Sequence, residues 1–409
     1  MTQTVKEELA AHKHINASGL TVLFGILTAF APFSIDMYLA GFPAIAKDMN
    51  VGVGDVQLTL SVFFLGLAIG QLFYGPLTDR FGRRIPLLVG LVIYAVSSFS
   101  IIYVKDINVF IFLRFLQAVG GCAGIIISRA IIQDIYDLNS AARAFSLMMA
   151  VQAIGPIAAP VLGGYILGFA GWETIFVFLC GLGICCFTVT FLILPETLPA
   201  ENRLHQPLSG IMSVFSNLLR NKDFMIPCLA GGIGGSALFV FISGSPFVFI
   251  TLYGLSEKQY GWAFGLIALG MGSASQINRL MLSRFSPYQL MVTAVHMLTI
   301  CCLCLVLFLL LGSTPSFFLI FIILFFALGT CPIIIANSTA IAMATSRKNA
   351  GSASSLVGVS QFSMAGIVSA LIGFFHDNTA MPMSGMMLIC GLSAMAILVL
   401  NKFLQSHHT

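Results

Sequence analysis

The feature that most constrains this chain is a succession of twelve long apolar runs. They begin with 18–40, 54–75, 86–104 and 107–129 and end with 350–374 and 384–404. Crossing a bilayer as a helix takes roughly 20 predominantly apolar residues, and in lipid only helices and closed barrels satisfy their own backbone polar groups. Barrel strands are short and alternate in polarity, whereas these runs are continuous, so helices are expected. Composition agrees, with 58% hydrophobic and only 8% charged residues, against about a quarter charged in soluble domains. The expected fold class is an all-α polytopic membrane protein of 12 transmembrane helices in two six-helix bundles. No cleavage site follows the first run, which is therefore read as a retained span. All ten cysteines fall inside apolar runs and read as packing residues.

Lysine and arginine set the orientation. With the N-terminus cytoplasmic, 15 of the 19 fall on the inner side, among them Arg80, Arg83, Arg84, Arg129, Arg143, Arg279 and Lys402, and three on the outer side, Lys47, Lys105 and Lys258. By the positive-inside rule both termini are expected in the cytoplasm. The longest polar stretch, residues 195–223, reads as a cytoplasmic linker between a first six-helix bundle, 1–194, and a second, 224–409. Two such halves point to a transporter with its site at their interface near mid-membrane.

Two charges stand inside apolar runs. Asp36, in FAPFSIDMYLAGFPAI, lies about 6 Å inside the outer end of its run, and Arg114, in FIFLRFLQAVGG, about 10 Å inside the same face, at 1.5 Å per residue. Opposite charges at similar depth suggest a pair or a shared cavity, and intramembrane ions usually mark ion or substrate pathways; snorkelling to the interface is the alternative for Asp36. Tyr38, Gln117 and Asn337 are candidate substrate hydrogen-bonding groups, as Gln152 and Gln361 are, or they bond across helices. Phe239, Phe241 and Phe247 are candidate pocket walls, and Pro246 is expected to interrupt its helix. His296 reads as structural.

GPLTDRFGRRIP, residues 75–86, resembles the G-x-L-x-D-R-x-G-R-R signature of the major facilitator superfamily, matched by Gly75, Leu77, Asp79, Arg80, Gly82, Arg83 and Arg84. The resemblance implies that fold and a cytoplasmic latch, in which Asp79 pairs with Arg83 and faces the helix starting near Gly351. GPIAAPVLGG resembles the fifth-helix antiporter motif through Gly155, Pro160, Gly163 and Gly164, with Ala159 where glycine is usual. SIDMYL at 34–39, RFLQAVGG at 114–121 and SGSPFVFI at 243–250 resemble the bicyclomycin-resistance group of drug:proton antiporters, although Ala40 and Gly41 depart from its usual continuation. That group implies Asp36 and Arg114 as the proton-coupling residues. Some multidrug relatives carry a further acid deeper in the first helix; here that stretch has Thr28.

No P-loop is present, and no HExxH or CxxC metal site is read, so neither an ATP-driven pump nor a metal centre is expected from the sequence. No cofactor, enzyme activity or nucleic-acid partner is expected; the partners are a small-molecule substrate, protons and the lipid bilayer, and a monomer is the family expectation. The resulting expectation is proton-coupled export of small amphiphilic drugs across a bacterial inner membrane by alternating access. Export of a native metabolite or siderophore by the same machinery is the alternative. A channel or non-transporting receptor fits composition but not the motifs, and symport is formally open because the residues do not write the direction of coupling.

Overall fold

The structure, a computed structural model, describes residues 17–136, 138–203, 208–311, 316–346 and 350–406. Among them every regular element is helical. The first half contains α1 (Ala17–Asp36), a 3₁₀ turn at Leu39–Gly41, α2 (Phe42–Asp48), α3 (Val53–Phe81), α4 (Arg84–Ile101), α5 (Ile107–Ile135), α6 (Leu138–Phe169) and α7 (Glu173–Ile193). After α8 (Leu208–Arg220), the second half contains α9 (Lys222–Pro246), a π-helical turn at Phe247–Leu252, α10 (Glu257–Met281), α11 (Pro287–Leu310), α12 (Phe317–Ala344), α13 (Ala350–Phe374) and α14 (Met381–Ser406).

Eleven helical segments are long and apolar enough to cross a membrane, α1 and α2 counting as one and the π turn continuing α9. The remaining expected span is α10, a full-length helix whose glycines, serines, Gln259 and Gln276 dilute its hydropathy. It packs against α6 and α12, so protein rather than lipid covers much of it. Local chemistry sets the helix starts. Ser256 Oγ accepts from Gln259 N at 3.3 Å while Gln259 Oε1 accepts from Ser256 N at 2.9 Å, a reciprocal cap. The Asp106 carboxylate caps α5 by accepting from Asn108 N at 2.7 Å. Outward-facing Phe99, Phe112, Phe169, Phe318 and Phe374 give the exterior the apolar surface that lipid requires.

Two pairs of helices join the halves, α3 with α13 and α6 with α10. At the end away from the α3–α4 turn they are in backbone contact. A Cβ added at Gly54 would lie 2.7 Å from the Gly373 carbonyl oxygen, and one at Gly261 2.5 Å from that of Pro160. Gln57 Nε2 donates to the Ser243 carbonyl across the same seam at 3.1 Å. α3 and α13 stay together toward the α3–α4 end, where Gln71 abuts Gly358. α6 and α10 meet at Ile157 and Gly265, and beyond that contact Met149 and Gln152 of α6 and Ala268 and Met271 of α10 line a cavity.

Pro246 interrupts its helix as expected: the α-helical part ends there and the span continues to Leu252 as a wider π-helical turn. Two sequence expectations change. The helix of span two does not stop at residue 75 but runs through Pro76 to Phe81, so the turn reduces to Gly82, at φ +88°, and Arg83. The polar linker holds α8, whose Val214, Phe215 and Leu218 pack on Phe224, Ala342 and Ala353; their spacing puts them on one helical face.

Candidate functional site

α1 ends at Asp36, and the chain then turns through Met37–Gly41 before α2 resumes the span as far as Asp48. Asp36 therefore sits at a break inside the span and not near its outer end. The residue is 4% exposed, and its Oδ1 has no hydrogen-bond partner among the described residues. A snorkelling carboxylate would be wet. A buried carboxyl oxygen without a partner instead costs roughly 1–3 kcal/mol.

Arg114 does not pair with Asp36 in this conformer. Its Nη2 donates to the Ser34 carbonyl at 2.9 Å and its Nη1 to Gln117 Oε1 at 2.5 Å. The guanidinium carbon lies 4.2 Å from the Tyr38 ring centroid and 4.3 Å from that of Phe63. Flat cations between aromatic faces are well held without a carboxylate. Gln117 donates onward to Ser98 Oγ at 2.8 Å, and Tyr38 Oη meets Thr59 Oγ1 at 3.1 Å. Arg114 thus grips the α1 backbone two residues before Asp36, with Tyr38 and Gln117 as its supports.

Asp36 opens onto a cavity of about 590 Å³ between the halves. Phe239, Phe241 and Phe264 wall it on one side, and Gln71, Gln152 and Gln361 supply amides. Phe239 packs edge-on against Phe64, ring centroids 4.9 Å apart, which fixes its face. Of the eight candidate substrate contacts read from the sequence, Gln152, Phe239, Phe241 and Gln361 line the cavity and the other four do not. Tyr38 and Gln117 are turned into the first half, Phe247 packs against His376 at 4.4 Å between centroids, and Asn337 donates to Asn278 Oδ1 at 2.8 Å. Arg129, read from sequence as a cytoplasmic charge, lines the cavity because α5 continues to Ile135. The signal was present in SRAIIQDI, where buried Ile131, Ile132 and Ile135 carry helical periodicity past the arginine.

The α6 glycines hold this site shut at the end away from the α3–α4 turn. A Cβ at Gly155 would lie 2.9 Å from Pro32 Cγ, one at Gly163 would fall on the Met37 carbonyl oxygen just after Asp36, and one at Gly164 on the carbonyl of Glu257. Pro160 offers its carbonyl to Gly261.

At the α3–α4 turn, Arg83 Nη1 meets Asp79 Oδ1 at 2.6 Å and its Nε meets Asp134 Oδ2 at 2.9 Å. Glu196 Oε1 accepts from Arg83 N at 2.7 Å, and Glu196 Oε2 from Arg84 N at 3.2 Å. Asp134 and Glu196 were not singled out in the sequence, since nothing local ties them to the motif. Arg84 Nη2 donates to the Phe191 carbonyl at 2.7 Å, and the Arg80 guanidinium lies 5.6 Å from the Phe81 centroid. α13 is approached by Gly75, whose added Cβ would lie 4.0 Å from Ser355 Oγ. Burial opposes the Arg83 charge, but hydrogen bonds and charge from Asp134 and then Asp79 raise its pKa above the ordinary value. Arg83→Gln is expected to lower stability by about 1.5–3 kcal/mol through Asp134, with less than about 1 from half-exposed Asp79. Thermal unfolding in detergent reads the loss, and an unchanged midpoint would reduce the cluster to a topogenic anchor.

The profile of the Major Facilitator Superfamily matches residues 24–370. The MFS-type transporter YdgK of Bacillus subtilis is 33% identical over 394 residues, which cover 94% of this chain and 95% of that one. The bicyclomycin resistance protein homolog of Haemophilus influenzae is 32% identical over 361 residues, 88% of this chain and 90% of that one. Multidrug resistance protein MdtL of Citrobacter koseri is 28% identical over 387 residues, 93% and 96% respectively. Among solved structures, a D-xylose-proton symporter superposes with TM-score 0.70 at 14% identity over 92% of this chain and 96% of that one. An inward-facing, occupied bacterial homolog of the lysosomal transporter Spinster superposes with TM-score 0.68 at 15% identity over 93% of each.

Proposed function

This chain belongs to the major facilitator superfamily, and we propose that it exports small amphiphilic drugs across a bacterial inner membrane in exchange for protons. The observation that carries the reading is Asp36: a buried carboxyl with an unpartnered oxygen, at a helix break, on the wall of the cavity between the halves. The relatives named for bicyclomycin and multidrug resistance support drugs as the cargo.

Under the positive-inside orientation both termini and the α3–α4 turn are cytoplasmic. The conformer is then inward-open, closed outside by the α6 glycines, with the cavity on the inner side lined by α6 and α10. The halves, 1–194 and 224–409, rock about the α3–α13 and α6–α10 contacts. In the outward-open state Asp36 takes a proton from outside; in the inward-open state it releases that proton as drug enters the cavity. Arg114 acts through α1, by holding the Ser34 carbonyl and so the position of Asp36. The Arg83 cluster latches the cytoplasmic ends.

The test is proton release from detergent-purified protein on addition of a phenicol or bicyclomycin. Saturable release, one proton for each drug bound, supports exchange. Saturable drug binding without release removes proton antiport and moves export of a native metabolite by another coupling ahead.

A further inference from the structure

Only two charged side chains line the cavity among the described residues, Asp36 and Arg129. The acid has a place in the proposed cycle; the arginine has none. No acid lies within ion-pair distance of it among the described residues. Asp134, the acid nearest to it along α5, is engaged by Arg83 and by the Thr197 hydroxyl at 3.2 Å. Arg129 lies six residues from the Ile135 end of α5, and a guanidinium facing a cavity between helices without a protein partner calls for an anion to meet it.

Its surroundings suit that role. Gln71, Gln152, Gln361 and Thr339 add neutral donors, and Ser354 brings the second turn of α13, near the positive end of that helix's dipole, to the same wall. Asp36 is too distant to cancel the charge. α1 and α5 run antiparallel and touch where a Cβ at Gly124 would lie 2.7 Å from the Leu27 carbonyl oxygen. Asp36 is nine residues from that crossing in one direction and Arg129 five in the other, about 21 Å along the bundle axis and far beyond ion-pair distance. Between the two ends Phe239 and Phe362 offer aromatic faces.

We propose that Arg129 recognises the anionic end of the cargo, so that the preferred substrates are aromatic amphiphiles carrying a sulfonate, carboxylate or phenolate and neutral drugs bind the same cavity more weakly. This rests on the cavity being the drug path, and deepens that reading: the head group sits at Arg129, the aromatic body lies along Phe239, and Asp36 is left free for its proton.

A matched pair of probes tests it, 2-naphthalenesulfonate and the neutral 2-naphthalenesulfonamide, by equilibrium binding to full-length protein in detergent. Wild type is expected to bind the sulfonate at least about tenfold tighter, the scale of one charge-assisted contact. In Arg129→Gln the sulfonate advantage disappears while sulfonamide affinity and thermal midpoint hold, and Arg129→Lys recovers part of it. Equal binding of the two probes by wild type, no binding of the sulfonate, or equal weakening of both in Arg129→Gln would each overturn the assignment. No proton gradient is needed. If Asp36→Asn leaves coupling intact while Arg129→Gln loses the sulfonate preference, the proton reading fails and this one stands.

Discussion

Asp36→Asn collapses the drug gradient. In proteoliposomes with an imposed potential, one proton moving inward supplies about 2.3 kcal/mol per 100 mV, which sustains roughly a 50-fold ratio of a neutral drug such as chloramphenicol. The variant is expected to bring that ratio to near one. Asparagine keeps the size and polarity of the side chain, so the break at Met37–Gly41 and the Arg114 grip on Ser34 persist and drug affinity stays within a few-fold. What goes is the exchangeable proton on a carboxyl whose Oδ1 has no partner among the described residues. Radiolabelled drug uptake with and without the gradient separates the cases. If Asp36→Asn still concentrates drug, the carboxyl is structural and coupling lies elsewhere.

Gly163→Val acts on the same point from the opposite helix. Its Cβ would fall on the Met37 carbonyl oxygen, which is backbone and cannot rotate away. The helices must part or the Asp36 break must shift, at about 1–3 kcal/mol for overpacking of this kind. The strain falls on the closed outer contact, so transport is expected to drop by more than about tenfold, a larger effect than the stability change alone implies. Gly181→Ala on α7, where an added Cβ meets nothing within 4 Å, is the control and should leave both transport and thermal midpoint unchanged. Wild-type transport in Gly163→Val would show that the α6 contact is not part of the gate.

Much of the fold was legible because spanning is a local property. Run length identified the helices, and only α10 was marginal, being covered by α6 and α12. The turn motif pointed to the Asp79–Arg83 pair, which lies one helical turn apart. Asp134, at the end of α5, and Glu196, in the segment after α7, complete that cluster from places remote in sequence and had no local signal.

The cavity was legible only in part. Asp36 stood out because a charge in an apolar run is costly wherever it faces. Which face it and its neighbours take is another matter. Helices such as α9 and α12 are apolar all round, so periodicity carries no direction, and Asn337 and Phe247 were read as substrate contacts when they pack against Asn278 and His376. By itself the sequence determined the number of spans, the motif turns and the two intramembrane charges, through composition and spacing along single helices. Only the tertiary structure decided that Tyr38 and Gln117 serve Arg114 and that Arg129 faces the cavity with Asp36, because helix rotation and the break after Asp36 are settled by packing between helices.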